Sequence, residues 1–159
     1  MPAPDEAATL ELVATNRKAF HDYFISDKVE AGLVLKGTEV KSLRAKRCNL
    51  KDSHARIDPK GNMELMNFHI SPYEMGNRYN VDPTRSRRLL LHKREIDKMA
   101  AKVAIKGMTL VPLRVYFRKG RAKVELGLGK GKAGHDKRES IKKRDTDREL
   151  RQAMKARQR

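Results

Sequence analysis

The sequence lacks the features of exported and membrane proteins. Its one cysteine, Cys48, excludes an internal disulfide framework and a thiolate metal cluster. The longest apolar runs, such as residues 31–35 and 89–91, fall far short of the ~18 residues that a membrane-spanning helix needs. Residues 1–12 carry three acidic side chains, the wrong sign for the start of a signal peptide. We therefore expect a cytoplasmic protein with no membrane partner.

Aromatic side chains and catalytic motifs are also scarce. There is no tryptophan, and the four tyrosines and four phenylalanines are few for a protein that stacks bases along a single strand. The five histidines are scattered, without an i,i+4 pair or a carboxylate at metal-ligand spacing. No nucleophile elbow, dinucleotide fingerprint or phosphate loop occurs. These absences argue against an enzyme, and we expect neither a metal nor a cofactor.

Positive charge is what the sequence has in excess. The formal net charge is +17 over 159 residues, and a field of this sign attracts polyanions, phosphate backbones above all. Basic side chains cluster at residues 41–47, 85–88 and 114–123, and again near the C-terminus. One such cluster is typical of a solvated surface, whereas four in a short chain favour a binding surface. With so few aromatics, recognition of the shape and phosphates of a folded RNA fits best.

Hydrophobic periodicity predicts short strands with a few helices between them. Asn16 is a plausible N-cap for the first helix. The predicted helices are residues 16–23, 39–46 and 93–106, and the predicted strands lie within residues 23–35, 54–58, 63–70, 87–91, 113–118 and 124–128. Five or six short strands with about three short helices fit a β-rich, partly open barrel of the oligonucleotide-binding (OB) class.

Composition divides the chain into three parts. Residues 1–15 predict a flexible leader, and residues 16–129 hold the barrel. Residues 130–159 form a basic tail with twelve Lys and Arg against five Asp and Glu. The tail has too few large apolar side chains to offset the entropy of ordering it, so we expect it to be disordered, or helical once bound to a polyanion. The glycine-rich residues 127–134 predict a flexible hinge.

Three long segments give the sequence a specific resemblance to a known family. These are EAGLVLKGTEVKSLRAKR (30–47), DPTRSRRLLLHKREI (82–96) and GKGKAGHDKRESIKKRD (129–145), which closely resemble small protein B, the SsrA-binding proteins of bacteria. The resemblance implies binding to the tRNA-like domain of transfer-messenger RNA and delivery of that RNA to stalled ribosomes for trans-translation. The barrel would replace the missing anticodon arm, the tail would enter the vacant messenger channel, and the incomplete protein would be tagged for degradation.

The resemblance also implies roles for barrel residues. Glu30 and Leu90 match family positions needed for transfer-messenger RNA binding, with core packing as an equal alternative for Leu90. His92 stands where the family has an asparagine and is also able to donate a hydrogen bond. The remaining residues predicted to contact this RNA are basic: Lys41, Arg44, Arg85, Arg87 and Arg88.

The tail resembles the ribosome-binding part of the family. His135 would stack on a decoding-centre nucleotide, as the family's histidine does. The predicted contacts with ribosomal RNA of the decoding centre and messenger channel are Gly129, Lys130, Lys132, His135, Asp136, Lys137, Arg138, Lys142, Lys143 and Arg144. The expected partners are thus transfer-messenger RNA and the ribosome, with the protein a monomer in the complex. A structural ribosomal or ribosome-assembly protein is the alternative, and an RNA-modifying enzyme is a third class for which the sequence offers no site.

Overall fold

Strands and short helices alternate along the chain. The computed structural model describes residues 10–76, 80–105 and 107–157, without the side chains of residues 134–137, 139 and 140. The elements described there are, in order, β1 Leu10–Thr15, α1 Arg17–Asp22, β2 Tyr23–Leu33, α2 Gly37–Arg44, β3 Cys48–Asn49, β4 His54–Ile57, β5 Met63–Met66, β6 His69–Ile70, β7 Arg87–Leu90, α3 Lys93–Val103, β8 Met108–Arg118, β9 Arg121–Gly131 and α4 Gly134–Arg157.

Six antiparallel strands close into a ring. Each strand pairs with the next in the order β8, β4, β5, β7, β2 and β9, and β9 pairs back with β8. β1 lies beside the C-terminal half of β8, while β3 and β6 form a separate pair. The narrowest seam joins β4 to β8 through one residue pair, Ala55 opposite Leu110. The predicted small OB-like barrel is confirmed, and its ring is closed.

Apolar side chains on the inner faces of these strands form the core. Met63 and Leu65 of β5 are fully buried, as are Val124 and Leu126 of β9, in keeping with the two-residue period of strands. Burying each aliphatic side chain stabilises the fold by about 1.5–3 kcal/mol. Cys48 packs against this core from β3, and burial raises the pKa of its thiol to about 11. The thiol is therefore neutral at physiological pH, as a small core residue should be.

Asn16 caps α1 as predicted and also fastens it to the barrel. Its side-chain oxygen accepts a hydrogen bond from the Ala19 amide at 3.2 Å, and its Nδ2 donates to the carbonyl of Pro112 on β8 at 2.9 Å. Satisfying the free amides of the first helical turn stabilises a helix by about 1 kcal/mol. The predicted helices at 39–46 and 93–106 are also present, as α2 and α3 with slightly different ends.

Part of the predicted leader is a strand. β1 pairs with β8 from Leu10 opposite Arg118 to Thr15 opposite Arg114, and its Val13 packs against the core. The prediction of a flexible leader is therefore wrong for residues 10–15, and residues 1–9 lie outside the described residues. The strand was missed because it is held mainly by backbone pairing, while its leucines remain exposed and give no clean alternation.

The predicted glycine hinge is also wrong as far as Gly131, because β9 continues to that residue. A Cβ at Gly127 would lie 2.8 Å from side-chain atoms of Ile25 and Leu113, and one at Gly129 would lie 3.1 Å from Tyr23. The glycines therefore allow close packing within a paired strand, and flexibility is not their role. The barrel extends past the predicted boundary at residue 129 to about Lys132, whose amide donates to the carbonyl of Asp22 at 2.8 Å.

Replacing Gly127 tests this packing role. Gly127→Ala is expected to lower the free energy of unfolding by about 1–3 kcal/mol, because the new methyl group must displace Ile25 and Leu113. Gly131→Ala is the matched control, since nothing lies within 4 Å of its added Cβ. Urea unfolding of both variants measures the difference. An equal loss in both would mean that chain flexibility, and not space, selects glycine here.

The tail forms one helix, α4. Its described side chains from residue 141 onward are all exposed, including Ile141, Leu150 and Met154 at 43%, 54% and 65%. α4 contacts α1 of the barrel, yet it buries none of these three apolar side chains. The sequence predicted a tail that is disordered until it binds a polyanion, whereas residues 134–157 are already helical in this structure. None of the described helices has the length and apolar character needed to span a membrane.

Candidate nucleic-acid interface

Glu30 lies on the outer face of β2, where two residues of β8 hold its carboxylate. The Tyr116 hydroxyl donates a hydrogen bond to it, and the Arg118 guanidinium forms an ion pair with it at 3.1 Å. Burial, together with the hydrogen bond to Glu30, raises the pKa of Tyr116, so the hydroxyl remains a donor at neutral pH. The Glu30 side chain is still 31% exposed. It is an oriented carboxylate with acceptor capacity left for a ligand.

Leu90 is exposed near Glu30. Alternation along β7 buries Arg87 and Leu89, and leaves Leu90 with 55% of its surface exposed. Leu90 stands opposite Gly32 of β2, where an added Cβ would come within 3.2 Å of the Leu90 Cβ. The alternative that Leu90 packs in the core is therefore wrong. Its side chain remains available for contact with a partner.

A cleft of about 320 Å³ lies beside Leu90 at the end of the barrel. Arg44 of α2 is exposed near it, with its guanidinium 4.5 Å from the centroid of the Phe117 ring, which lines the cleft. Such stacking fixes the guanidinium plane while leaving its N–H groups free to bind phosphate. Arg121 and Lys123 of β9 add positive charge to the rim. We refer to Glu30, Arg44, Leu90, Tyr116, Arg118, Arg121 and Lys123 together as the Glu30–Leu90 face.

Arg87 is not on this surface. It has no exposed area, and its Nε lies 2.6 Å from a carboxylate oxygen of Glu39, which is itself 3% exposed. The Arg87 guanidinium also donates to the carbonyls of Phe68 and Pro83. This arrangement corrects the prediction that Arg87 contacts RNA. Its charge instead joins β7 to α2 inside the fold, a role that charge clustering alone does not reveal.

Arg85 completes the same buried ion-pair network. Its guanidinium donates to the other carboxylate oxygen of Glu39, with the Nε at 3.1 Å, and its side chain is 26% exposed. Burial is the largest influence on the pKa of Glu39 and raises it, but hydrogen bonds from Arg85, the Lys36 amide and Arg87 together hold that pKa below its ordinary value. The carboxylate is therefore ionised at neutral pH.

The other predicted barrel residues are exposed at separate places. Lys41 points across a second cleft of about 530 Å³, with its ammonium 5.3 Å from the Tyr73 ring. Arg88 is on the outer side of β7, with its guanidinium 3.3 Å from the side-chain oxygen of Asn62. His92 is the N-cap residue of α3, and its amide donates to the Glu95 carboxylate at 3.3 Å. The structure thus brings Glu30, Arg44 and Leu90 to one end of the barrel and leaves Lys41 in a neighbouring cleft.

The predicted ribosome contacts divide between β9 and α4. Gly129 is buried in β9, Lys130 is exposed on it, and Lys132 follows directly after the strand. Of the predicted contacts on α4, Arg138, Lys142, Lys143 and Arg144 are exposed. The side chains of His135, Asp136 and Lys137 lie outside the described residues. The structure corrects the prediction that Gly129 contacts the ribosome, because Gly129 is buried, paired with Ile25 and Thr109 on the two neighbouring strands, and covered by Tyr23.

Sequence reasoning missed the two residues that position Glu30. Tyr116 lies on the same side of β8 as Arg114 and Arg118, but the two-residue period of a strand does not tell which distant strand faces that side. The signal was a tyrosine between two arginines on a hydrophobic strand, a position that favours a polar contact for its hydroxyl. Among the described residues, no group of three or more His, Cys, Asp or Glu side chains is placed to hold a metal ion.

A small β-barrel with exposed cations clustered on one surface is typical of proteins that bind nucleic acid. The chain belongs to the SmpB protein family, whose model matches residues 13–156. The resemblance predicted from three sequence segments is therefore confirmed.

Individual relatives agree over nearly the whole chain. An SsrA-binding protein of Oceanobacillus iheyensis is 57% identical over 148 residues, which cover 91% of this chain and 96% of the relative. An SsrA-binding protein of Syntrophotalea carbinolica is 53% identical over 148 residues, covering 93% and 98%. A solved structure described as "tmRNA-SmpB: a journey to the center of the bacterial ribosome" has a TM-score of 0.66 and 50% identity, over 80% of this chain and 93% of that one.

Proposed function

We propose that this protein binds the tRNA-like domain of transfer-messenger RNA through the Glu30–Leu90 face and delivers that RNA to stalled ribosomes for trans-translation. The observation that carries the proposal is the oriented Glu30 carboxylate beside exposed Leu90 on a cationic surface. Membership of the SmpB family supports it, since relatives carry the name SsrA-binding protein and the similar structure is described by tmRNA, SmpB and the bacterial ribosome.

Each side chain of this face suits a different part of a folded RNA. Arg44 and Lys123 bind phosphates, which supply affinity and position without reading sequence. Glu30 would repel a phosphate, so its carboxylate accepts hydrogen bonds from a base amino or imino group, or from a ribose hydroxyl. Leu90 covers the apolar side of that nucleotide. The face therefore recognises one particular place on the RNA as well as its charge.

The tail is the part of the protein that acts in the ribosome. α4 presents exposed cations along its length and buries none of its described apolar side chains, so it is able to leave its position beside α1 at little energetic cost. A vacant messenger channel is lined by RNA phosphates and attracts such a segment, whereas an occupied channel excludes it. In this arrangement the barrel replaces the anticodon arm, and the tail with His135 detects that messenger is missing. The protein acts as a cytoplasmic adaptor that positions two RNAs without a chemical step of its own.

Two substitutions on the face test the proposal. Glu30→Gln and Leu90→Ala should each weaken binding to transfer-messenger RNA by roughly 10-fold or more, because each removes a contact of about 1.5 kcal/mol or more. Matched controls are available: Glu64, a carboxylate 25% exposed and paired with Arg56 on β4, and Leu150, which is 54% exposed in the tail. Glu64→Gln and Leu150→Ala should leave the affinity unchanged.

Filter binding at a fixed salt concentration measures these affinities, because ionic strength alone changes them strongly. Equal effects of face and control substitutions would contradict the assignment of this face. Purification of the protein from bacterial cells, with identification of the RNA that accompanies it, distinguishes the proposed function from that of a structural ribosomal protein. Recovery of stoichiometric ribosomal RNA without transfer-messenger RNA would favour a structural ribosomal protein.

A further inference from the structure

Tyr116 is buried although it lies on the outer side of the barrel wall. It is 3% exposed, while its neighbours Val115 and Phe117 are the residues of this part of β8 that point into the core. The Nε of Arg118, two residues further along the same side of β8, is buried as well. Another part of the chain must therefore cover the two residues that hold Glu30.

β1 lies beside these two residues and supplies the cover. In the β1–β8 pair Leu12 stands directly opposite Tyr116, and Leu10 stands opposite Arg118. Residues directly opposite in an antiparallel pair point to the same face of the sheet, with their Cβ atoms about 4.5–5.5 Å apart. Leu10 is 36% exposed and Leu12 is 44% exposed, so more than half of each residue is covered. The apolar side chains of β1 thus lie against the residues that hold Glu30.

A β-bulge in β1 determines which side chain meets Tyr116. The register shifts between Leu12 and Ala14, because Val13 is the extra residue. With a regular register, Val13 would stand opposite Tyr116, and Leu12 would point toward the core together with Phe117. The bulge therefore turns the larger side chain outward onto Tyr116, in the way that bulges reorient side chains beside functional sites.

We propose that Leu12, supported by Leu10, is a positioning residue for Glu30, and this inference rests on the proposed function of the Glu30–Leu90 face. A hydrogen bond to a carboxylate is stronger where water is excluded, because the local dielectric constant is low. By covering the Tyr116 ring, Leu12 keeps water from the hydroxyl that donates to Glu30. The carboxylate is then held in one orientation before the RNA arrives, so less entropy is lost on binding.

The position of β1 in the fold separates this role from general stability. β1 is not one of the six strands that form the closed ring. Removing the Leu12 side chain should therefore leave the barrel intact while admitting water to Tyr116. The affinity for RNA should then change more than the free energy of unfolding does.

A double-mutant cycle in the full chain tests the proposal. Leu12→Ala should weaken binding to transfer-messenger RNA roughly fivefold, the contribution of one hydrogen bond. In a Tyr116→Phe background the same substitution should weaken binding by less than about twofold, because the hydroxyl that Leu12 protects is already absent. Equal losses in both backgrounds would overturn the proposal, since Leu12 would then contact the RNA itself or act on the fold as a whole.

Two substitutions in the same strand are the controls. Leu12→Met keeps the apolar cover and should bind like the unaltered protein. Thr15→Ala removes an exposed side chain opposite Arg114, whose partner is Glu125, and should also leave the affinity unchanged. A fivefold loss in either control variant would contradict the specific role of the leucine at position 12.

Glu30→Gln distinguishes failure of this proposal from failure of the proposed function. If Glu30→Gln weakens binding to transfer-messenger RNA and Leu12→Ala does not, the positioning role alone is wrong. If neither substitution weakens binding, the proposed function of the face is wrong as well.

NMR measures the protected hydrogen bond without RNA. The Tyr116 hydroxyl proton should give a slowly exchanging resonance in the unaltered protein, assigned by its absence from Tyr116→Phe. In Leu12→Ala this resonance should be lost to exchange with water, while in Thr15→Ala it should remain. A resonance equally protected in Leu12→Ala, or no resonance in the unaltered protein, would overturn the role of β1 as the cover of this hydrogen bond.

Discussion

A chain that ends at Ala133 is expected to bind transfer-messenger RNA as tightly as the full chain while supporting no tagging of stalled nascent proteins. The Glu30–Leu90 face belongs entirely to the barrel, so its contacts survive the loss of α4. The exposed cations of α4, with His135, are lost together, and with them the proposed contacts in the messenger channel. Filter binding measures the first property, and tagging in a purified translation system with truncated message measures the second.

The structure fixes where this truncation has to fall. A chain ended at Gly129 would also lose the β9 residues opposite Phe24 and Tyr23, and with them part of the barrel. The Ala133 end keeps all of β9 and the amide of Lys132 that donates to the Asp22 carbonyl. A full-length chain with the order of residues 134–157 scrambled is the control, since it keeps the charge. If the truncated chain still tags, or loses affinity for transfer-messenger RNA, the division of labour between barrel and tail is wrong.

Glu39→Gln is expected to lower the free energy of unfolding by about 3–5 kcal/mol, the largest effect we expect of any single substitution here. Glu39 forms ion pairs with both Arg87, which is fully buried, and Arg85. Removing its charge leaves the buried Arg87 guanidinium without the carboxylate to which it is directly paired. Urea unfolding measures the loss.

A matched substitution distinguishes the stability lost by unpairing a buried charge from the stability lost by breaking any ion pair. Glu64→Gln breaks the pair with Arg56, whose side chain is 56% exposed, so it should cost no more than about 1 kcal/mol. Similar losses for Glu39→Gln and Glu64→Gln would contradict a structural role for the buried network. If Arg87 contacted RNA instead, Arg87→Lys would weaken RNA binding without lowering stability, which is the reverse of our expectation.

The same network predicts a loss of stability in acid. Because the folded state holds the pKa of Glu39 below its ordinary value, ionised Glu39 contributes stability above the unfolded-state pKa of about 4.3. That contribution is lost as the pH falls through the lower, folded-state pKa. The unaltered protein should therefore lose more stability between pH 5 and pH 3, as rough limits, than Glu39→Gln does. Parallel stability curves for the two proteins would contradict this assignment.

Much of the fold follows from local pattern. Alternation in β8 and β9, helical spacing in α3 and the Asn16 cap each depend on neighbours in sequence, and each was predicted correctly. The wrong predictions concern features that depend on residues distant in sequence. β1 forms because it pairs with β8, and position 127 needs a glycine because Ile25 and Leu113 fill the space that a side chain would occupy.

The placement of the predicted site residues was also correct for some residues and wrong for others. Resemblance identified Glu30 and Leu90, and the structure brings both to one face. Charge clustering treated Arg87 like its neighbours, although one-residue alternation on β7 turns it inward and Arg88 outward. Tyr116 was not singled out, because its partner Glu30 lies 86 residues away in sequence. The contact between Tyr116 and Glu30 depends on how the strands are arranged in the closed barrel, which the sequence pattern of β8 does not reveal.

β9 gives the protein a fixed length. It runs without interruption from Arg121, at the cleft beside Leu90, to Gly131, at the start of the tail. Eleven residues in a strand paired on both sides span about 33 Å and neither stretch nor fold back. The distance between the proposed site for transfer-messenger RNA and the start of the tail is therefore fixed by the barrel. In the proposed function, the point at which transfer-messenger RNA is bound at one end of β9 therefore sets how far the tail reaches into the messenger channel.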